Sequence, residues 1–227
     1  MSDEKGYLNR NIIGLGLTSL LTDISSESVY AVLPFYIRSL GYGTEVIGFV
    51  EGLGEFTSSV FKFISGYITY KIARFKLLTL IGYSLSTFSK PFFAIARSGW
   101  AISIIKAFDR LGKGIRTTPR DALITLSSGE KYRGRAFGLH RMMDTIGALT
   151  GPLLAVLLLS FFGYTGVFLF SIIPGLLAVL TLLFIVKDVK PDAKGVVEKS
   201  GKPRFTSVFW LFISTITLSG LMGYTQA

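Results

Sequence analysis

Cysteine is absent from the 227 residues, histidine occurs once, and charged residues make up only 17% of the chain. The missing thiols exclude a disulfide framework, a thiolate nucleophile and a Cys-based metal site. The lone His140 excludes a His-Glu-x-x-His pair, and no Gly-x-Ser-x-Gly is present. No catalytic residue, metal ligand or cofactor is therefore expected, and His140 reads as a hydrogen-bonded residue of the bundle. The segment GKGIRTT has the look of a phosphate-binding loop, but Ala107 stands where the glycine five residues before Gly112-Lys113 is required. The charged fraction lies below the roughly 25% usual for soluble proteins.

Half of the residues are apolar and the mean hydropathy is +0.54. Several apolar runs reach the ~20 residues that a helix needs to cross a bilayer. They predict an all-α membrane protein with spans at 11–37, 45–69, 76–96, 98–126, 134–161 and 166–187. A further apolar run begins near Phe205 and continues to the end of the sequence. The expected organisation is a six-span bundle over 1–187, a basic cytoplasmic linker over 188–204 and the start of a second bundle over 205–227, a truncated seventh span. Asp23 and Glu27 interrupt the first run, and no Ala-x-Ala-like site follows it, so it reads as a membrane helix and not as a cleaved signal.

The loops alternate in charge. YKIARFK, SSGEKYRGR and KDVKPDAKGVVEKSGKPR are basic, whereas RSLGYGTE has one base and FFGYTG none. Lys and Arg resist translocation, which places the N-terminus and the basic loops in the cytoplasm of a multi-pass cell-membrane protein. The net charge of +10 is then a topology signal, with attraction to anionic lipid, and not the mark of a nucleic-acid partner.

An ionisable group facing lipid is costly, so charges within spans face the bundle interior, a watery cavity or one another. Span 1 carries Asp23 and Glu27, span 2 Glu51 and Glu55, and span 5 His140, Arg141 and Asp144. Span 4 reads DRLGKGIRTTPRD from Asp109 to Asp121, just after Lys106. At 1.5 Å per residue, Asp23, Glu55, Asp109, Arg110 and Asp144 all lie roughly 14–18 Å deep. Asp109, Lys113, Arg116 and Arg120 share one helical stripe, which must line a polar path or pair with acids on neighbouring helices. Lys62 and Lys90 are expected to snorkel, and spans 3 and 6, poor in charge, to be peripheral. The bland alternative is that the near balance of acids and bases serves only to hold the bundle together.

In its span count, its basic central loop and three motifs, the sequence resembles the major facilitator superfamily. GYITYKIARFK, with Gly66, Lys71, Arg74 and Lys76, partly fits the family's loop between spans 2 and 3, although Tyr70 stands in place of its Asp and Ala73 in place of its Gly. RLGKG, with Arg110 and Gly114, is similar to the span 4 signature, with Lys113 replacing Gln. GALTGP, with Gly147, Gly151 and Pro152, is similar to the span 5 motif of exporters. The resemblance implies a six-helix N-terminal bundle of major-facilitator type with an extra C-terminal apolar helix. It also implies alternating access about a midplane site, with spans 1, 2, 4 and 5 around the path.

The function expected is a transmembrane secondary transporter, or a fragment of one, moving small organic solutes by proton-coupled export such as drug or metabolite efflux. Asp23, Glu27 and Glu55 are the candidates for proton coupling. Asp109, Arg110, Lys113, Arg116, Arg141 and Asp144 are the candidates for substrate binding or charge relay. Organic-anion uptake is the runner-up, and a non-transporting half-bundle or partner subunit the alternative of another class. Expected partners are the solute, protons, the lipid bilayer and either a missing C-terminal half or a second copy in a homodimer.

Overall fold

The computed structural model describes residues 8–189 together with residues 210, 211, 214 and 215. Among these the regular structure is entirely helical: α1 Arg10–Ser39, α2 Thr44–Ile72, α3 Phe75–Ser89, α4 Gly99–Ser127, α5 Arg133–Phe170 and α6 Ile172–Phe184. The chain divides into two units, Met1–Lys190 and Pro191–Ala227. In the second, Trp210, Leu211, Ser214 and Thr215 are helical. The expected seventh span lies otherwise outside the described residues, as does most of the linker.

Local chemistry sets the helix ends. Asn9 caps α1 by accepting from the Ile12 amide at 3.0 Å, and Ser98 caps α4 through the Ala101 amide at 3.2 Å. Ala73 closes α2 in the left-handed region, at φ 50° and ψ 29°, which is the conformation a glycine would relieve. Gly163 breaks the long α5 segment at φ 62° and ψ −171°, a region open to little but glycine. The junction between the predicted fifth and sixth spans falls there.

Two expectations need correction. Span 3 is not one α-helix: α3 ends at Ser89 and a 3₁₀ turn covers Lys90–Ala94. Pro91 lies in that first turn and withholds the amide that would continue the α-helical ladder. Moreover, Glu130–Phe184 is the one described stretch that is long and apolar enough by itself to cross a membrane. The helices α1, α2 and α4 have the length but interrupt their apolar runs with charge.

Packing runs α1 on α5 and α6, α2 on α4, and α3 on α4 and α6. Glycines allow close approach at these seams. Gly82 and Gly112 face each other, so that a Cβ on either would lie 2.6 Å from the other's carbonyl oxygen. A Cβ on Gly114 would meet the Ser58 carbonyl at 2.8 Å. Two apolar clusters fill the ends of the bundle, one around Leu33, Tyr36, Phe93 and Phe168, the other around Leu15, Tyr83, Leu123 and Leu182. The polar layer lies between them. Two threonine hydroxyls of α1 are satisfied locally: Thr18 donates to the Gly14 carbonyl and Thr22 to the Thr18 carbonyl, each at 2.8 Å.

Candidate functional site

The layer is built on the i, i+4 geometry of two helices packed side by side. Glu51 and Glu55 project from α2, and Lys106 and Arg110 from α4. Lys106 Nζ meets Glu51 Oε1 at 2.8 Å, and Arg110 Nη1 meets Glu55 Oε1 at 3.0 Å. Between the two rungs lies Gly54, where a Cβ would stand 3.1 Å from Arg110 Cγ and 3.2 Å from Lys106 Cγ. A side chain at that position would push both stems off α2.

Burial is asymmetric across each rung. The Lys106 and Arg110 side chains are 0% and 9% exposed, whereas those of Glu51 and Glu55 are 40% and 48% exposed. The cations are thus enclosed by the bundle, and their carboxylates are the reachable members. On the enclosed side stands Tyr30 of α1. Its ring lies 3.6 Å from Lys106 Nζ and 4.6 Å from Arg110 Cζ, within the range of cation–π attraction.

The Tyr30 hydroxyl donates to Asp109 Oδ2, and the Ser86 hydroxyl donates to Asp109 Oδ1 at 2.6 Å. Asp109 is 1% exposed. Four helices therefore meet in a single network: Tyr30 from α1, the glutamates from α2, Ser86 from α3, and Lys106, Asp109 and Arg110 from α4.

The other predicted residues occupy different positions. Arg116 is buried against the Tyr83 ring, at 4.4 Å from its centroid, and its Nη1 has no hydrogen-bond partner among the described residues. Half-buried Asp23 and Glu27 on α1 form no ion pair among the described residues. Asp144 approaches Arg141 Nη1 at 3.4 Å and His140 Nδ1 at 3.5 Å within α5. Arg120 pairs with its neighbour Asp121 at 2.9 Å. The structure thus joins Glu55, Asp109 and Arg110 in one network, with Asp23, Glu27, Lys113, Arg116, Arg141 and Asp144 outside it.

Among the motif glycines, Gly147 and Gly151 of α5 seat directly against α1. A Cβ on Gly147 would meet the Leu20 carbonyl oxygen at 2.5 Å and Asp23 Cβ at 3.0 Å, and one on Gly151 would meet Glu27 Cβ at 2.8 Å. Pro152 follows them within α5. Lys71 in the last turn of α2 and Arg74 just before α3 are exposed. Lys76 Nζ donates to the Leu183 carbonyl at 2.8 Å, and its amide donates to Asp188 Oδ1 at 3.2 Å.

Sequence reasoning left Tyr30, Glu51, Ser86, Lys90 and Lys106 out of the site. For Lys106 a signal existed, the matched spacing of 106/110 with 51/55. For Ser86 and Tyr30 none did, because hydroxyls are common in these helices. Lys90 does not snorkel: it is 0% exposed and its ammonium donates to Ser25 Oγ at 3.1 Å. Nor are the third and sixth spans merely peripheral. The third supplies Ser86 and Lys90, and Ser171, at the start of α6, accepts from the Ser25 hydroxyl at 2.6 Å.

The Major Facilitator Superfamily profile matches residues 15–226. The chain belongs to the major facilitator superfamily. As a superfamily member it is a multi-pass membrane protein. An uncharacterized MFS-type transporter of Methanocaldococcus jannaschii is 34% identical over 217 residues, covering 93% of this chain and 54% of that protein. The multi-drug resistance efflux pump PmrA of Streptococcus pneumoniae is 28% identical over 205 residues, covering 86% of this chain and 49% of the pump. The chain therefore spans about half the length of the curated relatives it matches. Solved structures agree on the fold. A POT family transporter in complex with a thioalcohol-conjugated peptide superposes with a TM-score of 0.73 at 18% identity, over 98% of this chain and 49% of that one. An inward-facing bacterial homologue of the human lysosomal transporter Spinster gives 0.67 at 18% identity, over 84% of this chain and 46% of its own.

Proposed function

We propose that this superfamily member forms the N-terminal bundle of a secondary transporter that exports small organic solutes across the cell membrane in exchange for protons. The observation that carries the reading is the asymmetry of the two rungs: enclosed cations on α4, reachable carboxylates near the middle of α2. Carboxylates at that depth are not stable facing lipid, so they face a hydrated passage. A carboxylate on such a wall has three competing ligands: its own α4 cation, a proton, and a cationic group of a solute.

Exchange follows from that competition. Arg110 keeps its charge under all physiological conditions, so protonating Glu55 releases a guanidinium that must find another partner. The rung opens with one occupant and closes with the other, which links proton and solute without a chemical step. Asp23 and Glu27 on α1 form a second pair of proton-coupling groups, with Lys113, Arg116, Arg141 and Asp144 as the relay. Alternating access then requires a second bundle to rock against this one. Further chain of the same kind supplies it, and a second copy of this chain is the other source. The efflux-pump relative favours export over uptake.

One observation favours a second reading, organic-anion uptake: Arg116 is a buried cation whose Nη1 has no partner among the described residues, on the same α4 stripe as Lys113.

The test is ethidium transport in everted vesicles from cells expressing the protein from its own gene. The proposal expects ethidium accumulation that depends on an inside-acid gradient and collapses with a protonophore. Gradient-independent ethidium movement, or uptake of organic anions with no response to ethidium, would overturn it. In a cysteine-free background, Ser2→Cys reports orientation directly. A membrane-impermeant maleimide labels it only after permeabilisation if the N-terminus is cytoplasmic.

A further inference from the structure

Lys90 is a charge for which the exchange scheme has no use. It begins the 3₁₀ turn after α3 and is fully enclosed. Its ammonium donates to Ser25 Oγ at 3.1 Å, and Ser25 passes its own proton on to the Ser171 carbonyl. A hydroxyl does not offset a buried charge; a counter-charge is needed.

Asp109 presents the mirror problem. It is a buried carboxylate whose two hydrogen-bond donors, Tyr30 and Ser86, are both neutral. The flanking cations on its own helix are committed elsewhere, Lys106 to Glu51 and Arg110 to Glu55. Ser86 lies four residues before Lys90, one helical turn away, so the segment that bonds Asp109 also carries Lys90 beside it. Lys90 and Asp109 thus stand on packed neighbouring elements, both enclosed and neither with a charged hydrogen-bond partner among the described residues.

We propose that Lys90 is a positioning residue: it is the buried counter-charge of Asp109, and by holding that carboxylate ionised it fixes Tyr30 and, through the Tyr30 ring, the register of Lys106 and Arg110 against Glu51 and Glu55. The third span is then part of the machinery. The role in transport rests on the exchange reading above; the charge pairing does not.

The experiment is infrared spectroscopy of the protein in lipid nanodiscs at neutral pH, following the carbonyl stretch of protonated carboxyl groups. Lys90→Met is expected to add one such band, because Asp109 takes up a proton when its counter-charge is gone. The band is expected to be absent in Lys90→Arg and in Lys90→Met/Asp109→Asn. A Lys90→Met spectrum matching wild type, or a new band that persists in the double variant, overturns the proposal. Should Lys90→Met fail to fold, thermal melting of Asp109→Asn against the double variant decides. The double variant is expected to melt higher, and a lower melting point overturns the pairing. Ethidium flux supplies the functional arm: loss in Lys90→Met with recovery in Lys90→Arg is expected. Absence of gradient-driven flux in the wild type itself would count against the transport reading and leave the spectroscopic arm fully readable.

Discussion

Gly147→Ala is the substitution whose consequence the structure fixes most tightly. The added Cβ would stand 2.5 Å from the Leu20 carbonyl oxygen and 3.0 Å from Asp23 Cβ. A comfortable C···O contact is about 3.3 Å, so α5 must withdraw from α1 by about 0.8 Å at this seam. Neither obstacle is the end of a flexible side chain that could swing aside. A gap of that size removes about a quarter to a half of the dispersion energy along the opened contact, and overpacking of this kind costs about 1–3 kcal/mol. For a chain of this size each kcal/mol lowers the melting temperature by about 2–4 °C, so a fall of roughly 2–12 °C is expected in nanodiscs. Asp23 stands at the point of contact, so ethidium flux per folded molecule should fall as well. Gly134→Ala on the same helix is the control, because no atom of the described residues lies within 4 Å of the Cβ it would add. If Gly147→Ala melts with the wild type while Gly134→Ala is the damaged variant, the α1–α5 seam is not where the structure puts it.

Ala73→Gly should raise the melting temperature by about 2–4 °C, since relieving a left-handed alanine is worth about 1 kcal/mol; thermal melting with the wild type alongside checks it. Gly163→Ala should act in the opposite sense, costing about 1–3 kcal/mol for a backbone region nearly closed to other residues, and the same melt reads it. Glu51→Gln leaves the enclosed Lys106 ammonium without its carboxylate. The loss should be about 1–3 kcal/mol, less than for a fully buried pair because Glu51 is part-exposed. A Lys106→Met/Glu51→Gln double variant should recover most of it, and a melting cycle over the four proteins measures the coupling.

Much of the fold was readable from the sequence because bilayer thickness sets helix length. The all-helical bundle and the family follow from apolar runs, basic loops and three short motifs. What escaped was contact. The spacing of Glu51 and Glu55 showed a shared face but not that Lys106 and Arg110 meet it rung by rung, since partner choice depends on how α2 and α4 pack. Lys90 looked like a snorkelling residue because it lies near the outer end of a span. In fact the proline turns the chain into a 3₁₀ segment that points the lysine inward. Tyr30 and Ser86 could not be singled out from a chain rich in hydroxyls; only their placement around Asp109 gives them a role. Ala73, by contrast, was visible as a departure from the family's glycine, and the positive φ now supplies the reason glycine belongs there.

The central claim is that ionised groups from separate helices line one exchange site. Gradient-driven ethidium flux in Arg110→Ala and in Asp23→Asn, each normalised to folded protein in everted vesicles, measures it most directly. The account predicts that both variants lose the flux while still inserting and folding. Wild-type flux in both would mean that the charged layer only holds the bundle together.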